Sequence, residues 1–109
     1  MKPMCQPDVL RCVVDRTREV FPRAERVLLF GSRARGDARP DSDYDLLVVV
    51  PDLPARAGRS VALRLALRGL GVAFDILVLT PREFRELQQS RAQLAGAMLR
   101  DAVVLHEAA

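Results

Sequence analysis

Apolar residues recur at Val9, Leu10, Val13, Val14, Val20 and Phe21, with Pro7 near the start of the series, Asp8 just after it and Pro22 at its end. That spacing predicts an amphipathic helix over residues 7 to 21. Val27 to Phe30 is a short apolar run that breaks into Gly31-Ser32, and it reads as a strand. From Ser32 to Ser42 the chain is rich in Gly, Arg and Asp and contains Pro40, which predicts a loop with room for one helical turn. The next run, Asp43 to Val50 (DYDLLVVV), is continuously apolar after its two carboxylates, as in a strand covered on both faces, and Pro51 and Pro54 end it.

Residues 58 to 70 set Val61, Leu63, Leu65, Leu67 and Leu70 around Arg64 and Arg68, predicting a mostly buried helix with one solvent stripe, stopped by Gly69 and Gly71. Val72 to Leu79 (VAFDILVL) predicts a third buried strand, interrupted by one charge, Asp75. Thr80-Pro81-Arg82-Glu83 has the form of a capping box with proline at the first helical position, so a helix carrying Phe84 and Leu87 should follow. Ser90-Arg91-Ala92-Gln93 repeats that logic for a last helix through Leu94, Met98 and Leu99, and Val103 to Leu105 adds an edge strand. The order of elements points to an α/β fold, a small β-sheet flanked by helices, and the absence of any linker or repeat makes residues 1–109 one minimal domain.

Composition narrows the picture. With 17 basic and 14 acidic residues the net charge is only +3, and arginine supplies all the cations except Lys2. Cys5 and Cys12 are too few for a disulfide framework and are not at a zinc spacing, so they read as reduced, small buried hydrophobes. The N-terminal stretch lacks an apolar signal core and no run reaches a membrane span, so a soluble, cytoplasmic protein with no membrane contact is expected.

Three features carry candidate chemistry. Gly31-Ser32 follows a strand directly, where glycine lets a backbone approach a phosphate and the next N–H groups can hold its oxygens. Asp43 and Asp45 project to one face of their strand while Tyr44 points to the other. Two carboxylates about 4 Å apart repel by about 4 kcal/mol at an effective dielectric near 20, so a divalent cation is their natural counter-charge. Asp75 is the third: unpaired in a buried strand, it would lose several kcal/mol of hydration. If its strand lies beside DYDLLVVV, it completes a three-carboxylate site. Taken singly, each piece also fits a plainer role: a turn, a solvated acidic loop, an ion pair with an arginine. Taken together they constrain topology. Gly31-Ser32 lies past the end of its strand and Asp43 and Asp45 open theirs, so the two strands must run antiparallel to share a ligand, and the sheet is mixed.

Gly31-Ser32, ten residues, then Asp43-x-Asp45 and an acidic residue in a later strand resemble the nucleotidyltransferase superfamily that includes DNA polymerase beta. The segment FGSRARGDARPDSDYDLLVVV, about a fifth of the chain, is especially similar to the minimal nucleotidyltransferase domains of prokaryotes. The resemblance implies the polymerase beta-like fold. It implies that Gly31 and Ser32 hold a triphosphate, that Asp43 and Asp45 bind two Mg2+ ions, and that Asp75 shares one metal and helps to activate the attacking hydroxyl. Arg33 and Arg35 could add contacts to phosphate or only balance Asp37 and Asp41.

Superfamily members that modify antibiotics or extend nucleic acids carry a further domain for the acceptor, and none is expected here. Minimal members are typically paired with a HEPN-type ribonuclease toxin, and some transfer AMP from ATP onto a tyrosine of that partner. The resemblance therefore implies an antitoxin acting as a protein adenylyltransferase, assembled with its toxin. The alternative is a non-catalytic antitoxin that neutralises its partner by complex formation. A nucleic-acid surface is a third reading, but from Gly31 to Asp45 there are three arginines against four aspartates, so the site is not a basic groove and no direct nucleic-acid contact is expected. Tyr44, the only tyrosine, reads as core, and His106 as a surface or edge residue and not a base.

Overall fold

The computed structural model describes residues 6–53, 57–90 and 100–108. Along these, α1 (Gln6–Val20) leads into β1 (Arg26–Phe30), a short α2 (Gly31–Arg35) and β2 (Tyr44–Val49). They are followed by α3 (Val61–Ala66), β3 (Phe74–Leu79), α4 (Pro81–Ser90) and β4 (Val103–Glu107). The expected last helix beyond Ser90, with Leu94, Met98 and Leu99, lies outside the described residues, as do Cys5 and Pro54. No helix among the described residues is long and apolar enough to cross a membrane.

The strands form one mixed sheet in the order β3-β2-β1-β4. β1 runs antiparallel to β2 and to β4, whereas β2 and β3, joined by the α3 crossover, are parallel. The antiparallel β1–β2 pair is the arrangement that sharing a ligand between Gly31 and Asp45 requires.

Alternation along the strands divides the sheet into two apolar faces. On one, Val27, Leu29, Tyr44, Leu46, Val48, Ile76 and Val78 pack under α1 and α3, with Val9, Val13 and Leu63 from the helices and Leu67 from the turn that ends α3. Val9 and Val13 of the predicted stripe are fully buried, with Leu10, Val14, Val20 and Phe21 half-buried, and Thr17, which the apolar pattern did not include, is buried one turn after Val13. Cys12 is half-buried against the same core, in keeping with its reading as a small hydrophobe. Arg16 ties the two helices together by donating to the carbonyls of Ala66 (2.8 Å) and Arg68 (3.3 Å) at the end of α3. On the other face Leu28, Phe30, Leu47, Val49 and Leu79 pack with Phe84 and Leu87 of α4. The capping box forms as predicted: Thr80 N–H donates to Glu83 Oε1 (2.8 Å), and Glu83 N–H donates to Thr80 Oγ1 (3.2 Å).

Two expectations are corrected. The strand over 72–79 is shorter, and it is an edge strand, so Asp75 is exposed and Leu77 is 45% exposed. The large hydration cost assigned to Asp75 therefore does not arise. The helix over 58–70 is regular only from Val61 to Ala66 and is buried on one side, with Leu63 inside and Val61 and Leu65 outside.

Candidate active site

At the end of the sheet where β1 finishes and β2 and β3 begin, the described residues leave part of the second face open. A cleft of about 580 Å3 lies there. Phe30, Leu47 and Leu77 give it an apolar lining, and Gly31, Arg35, Asp45, Asp75 and Asp101 give it a polar rim.

Register sets the carboxylates. Asp45 stands opposite Phe30 on one side and opposite Asp75 on the other, so the two aspartates are neighbours across adjacent parallel strands, a spacing of about 4.8 Å. Asp43 lies two residues ahead of Asp45, exposed, just before β2 starts. Burial first, then the charges of Asp75 and Asp43, push the Asp45 carboxyl above the ordinary carboxylate range, and only the Arg35 guanidinium pulls the other way. None of the described arginines forms an ion pair with Asp75. Among the described residues no group of three or more carboxylate, thiolate or imidazole side chains is placed to hold a metal ion by itself. The aspartates form an open arc along the end of the sheet.

Gly31 makes this arrangement possible in two ways. The chain turns from β1 into α2 at this residue with φ of 73°, in the left-handed region that favours glycine. A Cβ there would also run into Oδ2 of Asp45, so the carboxylate lies directly over the glycine backbone. Ser32 follows in the first turn of α2, half-buried, and its carbonyl accepts the N–H of Gly36 (3.0 Å) and of Asp37 (3.2 Å) where the helix ends.

The two arginines of α2 divide the work. Arg33 is turned to the returning loop: its guanidinium donates to the carbonyl of Ser42 through Nε (3.2 Å) and Nη2 (3.0 Å), and to that of Pro40 (3.2 Å). It also lies 4.4 Å above the Tyr44 ring centroid. Arg33 thus fixes the segment that delivers Asp43 and Asp45. Arg35 lines the cleft and pairs with Asp37 at 3.3 Å.

Tyr44 is 2% exposed and packs against Phe74 in the core, its ring on the opposite face from Asp45, as alternation predicted. His106 is half-buried on the outer strand β4, paired with Val27 across the sheet. Asp101 was missed by sequence reasoning. Its signal is its place two residues before β4: with Val103 paired to Leu29 in an antiparallel ladder, Asp101 is led to the same end of the sheet as Gly31.

A model of the nucleotidyltransferase domain family matches residues 10–105, nearly the whole chain. The chain belongs to that family. A nucleotidyltransferase domain accounts for the small mixed sheet flanked by helices. Over 56 residues the domain is 38% identical to a Methanocaldococcus jannaschii protein with the provisional name protein adenylyltransferase. That alignment spans 51% of this chain and 56% of the relative, little more than half its length. Among solved structures, a provisionally assigned nucleotidyltransferase of Sulfolobus solfataricus superposes with a TM-score of 0.63 at 27% identity, covering 94% of this chain and 83% of that one. A toxin–antitoxin structure obtained with AMP-PNP superposes with a TM-score of 0.67 at 18% identity, over 91% of this chain and 73% of that one, a likeness of fold.

Proposed function

We propose that the domain is a magnesium-dependent adenylyltransferase of the cytoplasm, an antitoxin that transfers AMP from ATP to a tyrosine hydroxyl of a HEPN-type ribonuclease toxin assembled with it. The observation that carries this reading is the facing pair Asp45 and Asp75, with Asp45 seated over Gly31. Three like charges brought to one end of a sheet, one of them with its carboxyl pushed up, need a cation. An open arc of hard oxygen donors suits Mg2+, which keeps water ligands and takes one or two carboxylates together with substrate phosphates. The donor set therefore fits: Asp43 and Asp45 would hold two ions and Asp75 would share one of them. When bound, the ions supply charge neutralisation and a lowered pKa for the attacking hydroxyl.

The chain's own residues orient the reaction. The backbone at Gly31 and Ser32, with Arg35 at the rim, receives the β- and γ-phosphates. The tyrosine oxygen forms a bond to the α-phosphorus, the bond from that phosphorus to the bridging oxygen breaks, and pyrophosphate leaves with its electron pair. Asp75, open to water, takes the hydroxyl proton and passes it to solvent. The AMP-PNP in the toxin–antitoxin neighbour and the adenylyltransferase name of the M. jannaschii relative support ATP as nucleotide and a protein as acceptor.

The test is incubation with α-labelled ATP, Mg2+ and the product of the reading frame beside this chain's own. Label on a tyrosine of that product is expected, lost with EDTA and in the Asp43→Asn/Asp45→Asn protein. Transfer unaffected by the double substitution would sink the reading. Neutralisation of the partner by the double variant, without transfer, would favour the non-catalytic antitoxin.

A further inference from the structure

The crossover from β2 to β3 has an unusual charge balance. From Leu53 to Phe74 there is no acidic residue, and Arg56, Arg59, Arg64 and Arg68 carry all the charge. Arg59 is committed inside, donating to Glu83 at 2.6 Å with a side chain 7% exposed. Arg64 lies at the surface and donates to the carbonyl of Phe74 (3.3 Å), the residue next to Asp75. One helical turn apart on α3, Val61 and Leu65 are 53% and 57% exposed, and across the edge strand, on the cleft side of the sheet, Leu77 is 45% exposed two residues past Asp75. The other large exposed hydrophobic residues among those described, Val103 and Val104, are on β4 at the opposite edge of the sheet.

We propose that this border of α3 and β3 is where the acceptor protein docks, and that the docking partner presents an apolar surface with acidic side chains beside the accepting hydroxyl. The inference rests on the transfer reaction above and adds the side of approach and the chemistry recognised. In-line displacement puts the attacking oxygen opposite the leaving pyrophosphate. With phosphates at Gly31, that direction is the β3 side, where Asp75 stands. The partner meets side chains there, because the outward carbonyls of Phe74 and Val78 already accept from Arg64 (3.3 Å) and Arg59 (3.4 Å), which blunts strand addition at this edge. Exposed Val61 and Leu65, with no lysine among the described residues, favour a protein over a nucleic acid.

Two synthetic peptides test this, one with tyrosine among Leu and Glu residues, the other with tyrosine among Ser and Lys residues. AMP transfer to the first should exceed transfer to the second by about tenfold or more in kcat/KM, the worth of roughly one good contact. Leu65→Asp and Arg64→Glu should each raise KM for the first peptide about tenfold with calorimetric Mg-ATP binding unchanged, and Arg64→Glu should improve transfer to the second. Val104→Asp, on the far edge, should change none of these. Equal use of the two peptides, transfer to neither while Mg-ATP still binds, or a wild-type KM in Leu65→Asp would overturn the docking surface and leave the nucleotide chemistry standing. Failure to bind Mg-ATP at all would overturn both. Salt-sensitive competition by single-stranded RNA, relieved by Arg64→Glu, would assign the surface to nucleic acid instead.

Discussion

Gly31→Ala separates the conformational duty of this glycine from its duty to Asp45, because the chain supplies its own control. Gly36 caps α2 with φ of 84°, close to the 73° of Gly31, so alanine at either position meets the same left-handed strain. That strain is about 1–2 kcal/mol for a residue with a Cβ. In a domain of this size it lowers Tm by roughly 5–10 °C. The surroundings differ: a Cβ at Gly36 meets nothing within 4 Å, whereas a Cβ at Gly31 meets Oδ2 of Asp45. That oxygen is the end of a side chain and can swing aside, so the extra contact costs little stability and instead moves the carboxylate. A displacement of about 1 Å at a reacting centre costs on the order of 100-fold in rate. Thermal melts should show both variants weakened by similar amounts. In the AMP-transfer assay Gly36→Ala should stay near the wild type and Gly31→Ala should fall about 100-fold. If Gly31→Ala transfers AMP as well as Gly36→Ala does, the seating of Asp45 on the glycine backbone has no catalytic meaning and the reasoning is wrong.

Other residues give sharp expectations. The raised Asp45 carboxyl means that the folded state binds its proton more tightly than the unfolded chain does, so this group's contribution to stability is present below the ordinary carboxylate range and lost as pH rises through the raised value. In EDTA at pH 7.5, Asp45→Asn should therefore melt above the wild type, with the gap closing toward pH 4; a wild type that melts higher at pH 7.5 contradicts the electrostatics. Arg33→Ala removes three hydrogen bonds to carbonyls and a ring contact, about 1–3 kcal/mol in urea unfolding, and should lower kcat with KM for ATP little changed. Arg33→Lys should not rescue it, since an ammonium cannot reproduce the planar fork, and a large rise in KM would instead return Arg33 to the phosphates. Asp101→Asn removes a charge about two strand spacings, ~10 Å, from Asp45 and should alter Mg2+ affinity by about twofold at low salt; a loss near that of Asp45→Asn would make Asp101 a ligand.

What could be read from the sequence is whatever short-range periodicity and simple connectivity decide. Alternation alone put Tyr44 in the core and Asp45 on the opposite face, and the requirement that Gly31 and Asp45 meet one ligand forced the antiparallel β1–β2 pair. The capping box at Thr80 and Glu83 is local chemistry and formed as written. Arg33 could not be resolved in that way, because its partners are backbone carbonyls of Pro40 and Ser42, groups that every residue carries.

The place of β3 in the sheet is a different kind of failure, since a continuous apolar run says that a strand is covered but not on which sides. Strand order is settled by long-range pairing, and here β3 falls at the edge, with α4 covering only part of one face. The expectation that Asp75 is expensively buried therefore does not hold, yet the residue stands opposite Asp45 across the β2–β3 pair. Its exposure changes the physics in a useful direction. A buried trio of aspartates would bind a cation permanently or stay protonated, whereas on the proposed reading Asp45, half-buried, and Asp43 and Asp75, in water, would hold Mg2+ only together with its nucleotide. The edge position also leaves Asp75 exposed, as the proposed transfer to a hydroxyl of another macromolecule requires.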